Sequence, residues 1–211
     1  KMEKVKNYDK VVEIAGKHLG KVGGDGYSDQ YNSELLVKVP RYLNREGYEL
    51  TDKDFVGVDT WNCYEVSAIT TKGQPVAGML KIVCPSDSSH HVESKSIKLY
   101  LNSLNMTKIG DNAVECILEI ESRVKADLDK LLETNTTVSF YTSEEDGKAL
   151  SFEGYQDLAE VADLDQIDFT AFQSDASQLE IEAVSEEPKE VKLRSNLLRS
   201  NCRVTNQPDW G

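Results

Sequence analysis

The sequence predicts an α+β fold, an antiparallel sheet with two helices on one of its faces. Three observations predict it. Residues 61–84 hold two stretches of strand-forming residues joined at Lys72-Gly73, residues 93–133 carry two helical periodicities, and Thr136 to Thr142 returns to alternation. With a further strand expected later in the chain, the order strand, strand, helix, helix, strand, strand places both helices against one sheet face, a layered α+β arrangement.

The elements follow in order. Trp61 to Ile69 (WNCYEVSAI) is rich in aromatic and β-branched residues, and Lys72-Gly73 supplies a turn. Val76 to Cys84 forms the return strand, with Val76, Leu80, Ile82 and Cys84 on one face. Pro85 to His91 reads as a polar loop. In the segment from Glu93 to Leu104, Ile97, Leu101 and Leu104 recur at i, i+4 and i+7, the helical spacing. A longer amphipathic helix spans Asp111 to Glu133, its apolar stripe read as Val114, Ile117, Leu118, Val124, Leu128, Leu131 and Leu132. A further strand is expected around Gln166 to Phe172.

Four regions result: an N-terminal extension (1–55), the sheet-and-helix core (56–143), an acidic connecting region (144–190), and the beginning of a second module (191–211). Between Glu144 and Glu190 stand 15 Asp or Glu against two Lys, a composition that suits a solvated connection. Val191 to Arg199 then resumes an apolar-basic alternation.

Charge and cysteine usage narrow the function. The formal net charge is −13, whereas a nucleic-acid reader draws most of its affinity from basic groups on phosphates. A small substrate or a protein partner fits better. No run of eighteen apolar residues exists to span a membrane, and Lys1 to Lys6 lack a secretory leader's pattern. Cys63, Cys84, Cys116 and Cys202 form no CxxC pair and read as reduced cytoplasmic thiols. The first three read as structural.

Candidate chemistry lies in two places. Cys202 sits in a polar, cationic setting between Asn201 and Arg203, which favours a reactive thiolate. Asp209, behind Pro208, could turn back to deliver a proton, although a Cys and an Asp so spaced are more often structural. Glu93 opens a helix, where a carboxylate ordinarily serves as a cap; alternatively it accepts hydrogen bonds from an amidine-like ligand edge, with Ser94 and Lys95 near an anionic group. Cys84, His90 and His91 match no standard zinc spacing, so no metal is expected.

Two segments together resemble a known family. ESKSIKLY, Glu93 to Tyr100, matches at every position the signature Glu-[Ser/Leu]-Lys-[Ser/Ala]-hydrophobic-Lys-[Leu/Tyr]-aromatic of the 7-cyano-7-deazaguanine reductases (QueF). SNCRVTNQPDWG, Ser200 to Gly211, resembles that family's catalytic loop. Val39 to Arg45 (VPRYLNR), Gly57 to Trp61 (GVDTW) and Leu99 to Asn105 support the likeness, which runs from about Gly26 to Gly211 and is similar to the long, two-module form.

The resemblance implies a tunnelling fold (T-fold) repeated in tandem, homo-oligomers, and NADPH-dependent reduction of the nitrile of 7-cyano-7-deazaguanine to an aminomethyl group, in queuosine biosynthesis for tRNA. It implies Cys202 as the nucleophile that forms a thioimide and Asp209 as the proton donor. Val92, Glu93 and Ser94 would contact substrate, and Ser94 and Lys95 the cofactor. Further substrate and cofactor contacts in the long form come from beyond the cysteine loop. The sequence is therefore expected to be a fragment whose second T-fold is only begun, and its Lys1-Met2 opening to be non-native. Two alternatives stay open: a relative in which an amine attacks the thioimide, and a non-catalytic T-fold module that binds a purine or pterin.

Overall fold

The structure, a computed structural model, describes residues 8–17, 28–46, 50, 51, 54, 56–142, 153–170, 190–201 and 207–210. The chain divides into two compact units, residues 1–149 and 150–211.

In the first unit the described elements are α1 (Tyr8–Ala15), β1 (Lys38–Pro40), α2 (Tyr42–Arg45), β2 (Val58–Ile69), β3 (Pro75–Pro85), β4 (His90–Val92), α3 (Ser94–Asn102), α4 (Ala113–Leu132) and β5 (Thr137–Tyr141). Strands β2, β3 and β5 form an antiparallel sheet in that order, and β1 pairs with β4 in a separate antiparallel ribbon. The β2–β3 hairpin closes where Gln74 O accepts from Thr70 N at 2.9 Å, and Gly73, at φ 85°, takes the left-handed position of that turn.

Period-2 alternation explains the sheet's inner face. Val76, Leu80, Ile82 and Cys84 of β3 are all buried, as the sequence predicts, with Val66 and Ala68 of β2 and Phe140 of β5. Helix α3 brings Ile97, Tyr100 and Leu101 to this core, and α4 brings Cys116, Ile120, Val124, Leu128 and Leu132. The α4 stripe thus differs from the sequence expectation. Val114 and Leu118 are 66% and 59% exposed, because the row of residues four apart that meets the sheet begins at Cys116.

Helix α4 starts from a reciprocal cap: Asn112 Oδ1 accepts from Glu115 N at 3.1 Å, and Glu115 Oε2 accepts from Asp111 N at 2.9 Å. The hydroxyls of Tyr31 and Tyr100 both donate to Asp127 Oδ2, at 2.7 and 2.6 Å. This ties the segment before β1 to both helices.

The second unit contains β6 (Gln156–Asp157), α5 (Leu158–Val161), β7 (Leu193–Arg194), β8 (Arg199–Asn201) and β9 (Pro208–Trp210). β6 runs parallel to β7, and β8 pairs antiparallel with β9. The strand expected over Gln166 to Phe172 is corrected: Gln166 closes a 3₁₀ turn (Leu164–Gln166), residues 167–170 carry no strand, and 171–172 lie outside the described residues. Asp163 and Leu164 are in position to accept the turn's hydrogen bonds from Gln166 N and Ile167 N, which bends the backbone away from extension. The polar loop read from Pro85 to His91 is also corrected, since His90 and His91 belong to β4 and pair with Pro40 and Val39.

Candidate active site

The junction of β4 and α3 concentrates the motif residues of the first unit. Glu93 is the N-cap of α3, in extended conformation, and is only 7% exposed. Its Oε1 accepts from Lys95 N at 2.9 Å and its Oε2 from Ser96 N at 2.6 Å. These are two of the donors that a helix start leaves without intrahelical partners. Ser94 Oγ lies 3.4 Å from the same Oε1. The ordinary capping role of a carboxylate at a helix start is therefore realised.

The cap also fixes Glu93 from behind. Its backbone N donates to Val37 O at 2.9 Å, and its carbonyl accepts from Ser96 Oγ at 2.7 Å. Ser96 Oγ in turn accepts from Val37 N at 3.0 Å. Val92 is 1% exposed, so its side chain belongs to the core and leaves only its backbone to meet a ligand. Ser94 is exposed and Lys95 partly so. Because Glu93 occupies the N–H groups of residues 95 and 96, an anion at this turn would rely on the Ser94 hydroxyl and the Lys95 ammonium. A hydroxyl and a cation suit a ribose or phosphate of a dinucleotide.

Sequence reasoning missed a second constellation that supports the first. Arg41 is buried; its guanidinium pairs with the Asp59 carboxylate, and its Nε and Nη2 each donate to Ser88 Oγ at 3.2 Å. Ser88 Oγ donates to His90 O at 2.8 Å, which anchors the start of β4. The available signal was that Arg41 and Asp59 stand in VPRYLNR and GVDTW, two of the motif stretches. Next to this pair, His91 Nε2 is buried without a hydrogen-bond partner. Burial, reinforced by the Arg41 cation, lowers His91 to a pKa of about 4, so it is neutral at physiological pH.

A groove of about 360 Å³ runs beside α3, lined among others by Trp61, Cys63, Tyr64, Ser94, Lys98 and Asn102. It faces a bulge in β2, where the register with β3 shifts between Cys63 and Val66.

The three described cysteines are poor nucleophiles. Burial pushes Cys63 and Cys84 up to about 11 and raises Cys116 as well, so all three are protonated thiols near neutrality. Cys202 lies outside the described residues. Asp209 is in β9, its backbone opposite Ser200 of β8. The structure thus brings Val92, Glu93, Ser94 and Lys95 together in the first unit, and Asp209 belongs to the second. Among the described residues no group of three or more His, Cys, Asp or Glu could hold a metal ion, and no helix is long and apolar enough to cross a membrane.

The α+β fold and the capped ESKSIKLY helix define a class, which comparison with known proteins identifies. Residues 27–140 match the family model described as nitrile reductase, 7-cyano-7-deazaguanine-reductase N-term. The chain belongs to this family. Proteins named NADPH-dependent 7-cyano-7-deazaguanine reductase from Coxiella burnetii, strains RSA 493 / Nine Mile phase I and RSA 331 / Henzerling II, are each 36% identical to it over 188 residues. The matched region covers 88% of this chain and 63% of each relative.

Proposed function

We propose that this chain acts in the NADPH-dependent reduction of 7-cyano-7-deazaguanine to the aminomethyl compound, a step of queuosine biosynthesis. The observation that carries this reading is the family match over 27–140, which includes the whole β4–α3 junction. Glu93 reads the guanine-like edge. Each of its oxygens accepts one backbone N–H. Oε2 retains a further lone pair, and the second site on Oε1 is taken only by the 3.4 Å bond from the Ser94 hydroxyl. A ring N–H and an exocyclic amine can thus be received, the second by displacing Ser94, without uncapping α3. The Val37–Ser96–Glu93 bonds hold that carboxylate in place, and Val92 contributes through its backbone.

Cys202 is the proposed nucleophile. Its sulfur bonds to the nitrile carbon, the C≡N bond becomes C=N, and Asp209 delivers the proton to nitrogen, giving a thioimide. Burial and high pKa values of the other three cysteines support this choice. Ser94 and Lys95 would hold a ribose or phosphate of the cofactor. NADPH, when bound, supplies one hydride per molecule, and two molecules with two protons take the nitrile carbon to the amine while the Cys202 thiol is released. The proposed setting is a cytoplasmic homo-oligomer. β2 and β5 are the edges of the described sheet, and such edges suit pairing with a further strand.

Intact-protein mass spectrometry after mixing the chain with 7-cyano-7-deazaguanine tests the nucleophile. An adduct of the substrate's mass, absent from Cys202→Ala, is expected. An adduct that persists in Cys202→Ala would move the chemistry to another residue.

A further inference from the structure

We propose that Arg41 and Asp59 are positioning residues for substrate recognition: they fix the place of β4 and so aim the Glu93 carboxylate that follows it. This rests on the reductase reading, in which Glu93 receives the guanine-like edge. Among the described residues β4 belongs to no larger sheet. It pairs with β1, each strand having three residues, in a ribbon separate from β2, β3 and β5. A two-stranded pairing this short is marginal by itself. Its position has to be fixed by bonds at its ends.

Arg41 supplies such bonds on both edges of β4. Its backbone N donates to Ser89 O at 3.0 Å, and at the other end of the ribbon Glu93 N donates to Val37 O at 2.9 Å. Bonding positions alternate along an antiparallel pair, so 41/89 and 37/93 are bonding positions and Pro40/His90 is not. Pro40 therefore costs the ribbon no ladder bond, and the His90 carbonyl points away from β1. Ser88 Oγ donates to that carbonyl at 2.8 Å. The Arg41 guanidinium holds Ser88 Oγ in turn, through Nε and Nη2, each at 3.2 Å. Arg45, at the end of α2, donates from Nη2 to Ser86 O at 3.1 Å and steadies the same turn.

Asp59 ties this clamp to the main sheet. It stands on β2 opposite Cys84 of β3, and its carboxylate pairs with the buried Arg41 guanidinium. The pair bridges two sheets that share no ladder and so registers β4 against β2. The cap of α3 fixes Glu93 relative to the helix, and the clamp fixes it relative to the sheet. Arginine suits both contacts: its planar fork reaches Asp59 and Ser88 at once, whereas a lysine ammonium is a single point charge. Two parallel hydrogen bonds from a ligand edge require the carboxylate in one plane. A small displacement of β4 therefore costs recognition before it costs the fold.

Calorimetric titration of the full chain carrying Cys202→Ala, in which binding stays non-covalent, tests this with two ligands: 7-cyano-7-deazaguanine and its analogue lacking the exocyclic amine. The amine's bond to a carboxylate should give a preference of about tenfold or more. Arg41→Lys and Asp59→Asn, each added to that chain, should narrow the preference to about threefold or less. Combining the two should narrow it little further, since both act through one contact. Ser88→Ala, which leaves the ion pair in place, should narrow it part of the way and serves if the other variants fail to fold. A purely structural role would lower the number of sites titrated and leave the ratio of the two affinities intact. An unchanged ratio in every folded variant overturns the positioning role; an adduct with 7-cyano-7-deazaguanine on the chain retaining Cys202 would then leave the reductase reading standing. No preference before these substitutions, or no binding of either ligand, overturns this inference together with the Glu93 assignment beneath it.

Discussion

Two regions of the molecule are held together in different ways. In residues 8–142, Leu80, Ile82, Ile120, Val124 and Leu128 are fully sealed from solvent, and the sheet and both helices share one core. From residue 153 onward no described side chain is buried, and the described elements are short strand pairs, β6 with β7 and β8 with β9. The contrast separates the two halves of the proposed chemistry. Glu93, Ser94 and Lys95 inherit their geometry from close packing, where a displaced atom is felt throughout. Asp209 inherits its backbone position from the ladder with Ser200. Substitutions of similar size should therefore register strongly in the first region and weakly in the second.

The largest effect is expected at Gly78. A Cβ built there would meet the Tyr141 carbonyl oxygen and lie 2.6 Å from Phe140 Cε1. The first contact is backbone of the neighbouring strand, so no rotamer change relieves it. Gly78→Ala should prise β5 from β3 and cost about 3 kcal/mol or more, read as a lowered urea midpoint. A change under about 1 kcal/mol would mean that the β3–β5 ladder yields easily, and the contrast between the regions would weaken.

The sheet and helices were largely legible because their signals are local. The β2–β3 hairpin announces itself through alternation and the Lys72-Gly73 turn, and α3 and α4 through spacing. The α4 face was misread because apolar residues at 114, 116, 117, 118 and 120 support two overlapping stripes, and only packing on the sheet selects the one through Cys116 and Ile120. β4 was invisible for a different reason. It has three residues, two of them histidines, and its partner β1 lies some fifty residues earlier, a non-local pairing that no window reads. At the site, ESKSIKLY could be recognised by residue type, but nothing in it says that both Glu93 oxygens turn onto the helix. The groove depends on the bulge at Tyr64-Glu65, which interrupts a stretch that reads as continuous strand.

The neutral His91 gives the first region a pH signature. Its pKa is about 4 in the fold against about 6.5 in an unfolded chain. Below about pH 6.5 the unfolded chain takes up a proton that the folded one refuses, so stability falls with pH and levels off below the folded value. Integrated from about pH 6.5 to about pH 4.5, the loss is ~2 kcal/mol. Asp129, where burial is outweighed by the hydrogen bonds and charge from Lys125 and Thr136, and Glu133, lowered by its bond to Lys38, lose their contribution only further down, as pH drops through their own depressed values. Urea titrations of wild type and His91→Gln between these pH values check the assignment. The variant should lose most of the slope, whereas identical slopes would assign the dependence to other groups.

The smallest effect sharpens the comparison most directly, because the same chemistry occurs in both regions. Arg41 and Asp59 pair with side chains 10% and 41% exposed. Arg194 Nε and Asp157 Oδ2 stand 3.6 Å apart with side chains 49% and 27% exposed. In the second pair the arginine remains hydrated, gains little Coulomb energy and gives up rotamer freedom to stay in place. β6 and β7 also keep their backbone pairing, including Gln156 N to Lys192 O at 2.9 Å, whatever stands at 194. Arg194→Ala should therefore change stability by less than about 0.5 kcal/mol, while Arg41→Ala should cost several times more, since it also strips Ser88 Oγ of its donor. Differential scanning of the two variants beside wild type gives the ratio. Equal losses would mean that the Arg194 pair is held as tightly as the buried one, and the division between a packed region and a ladder-held region would fail.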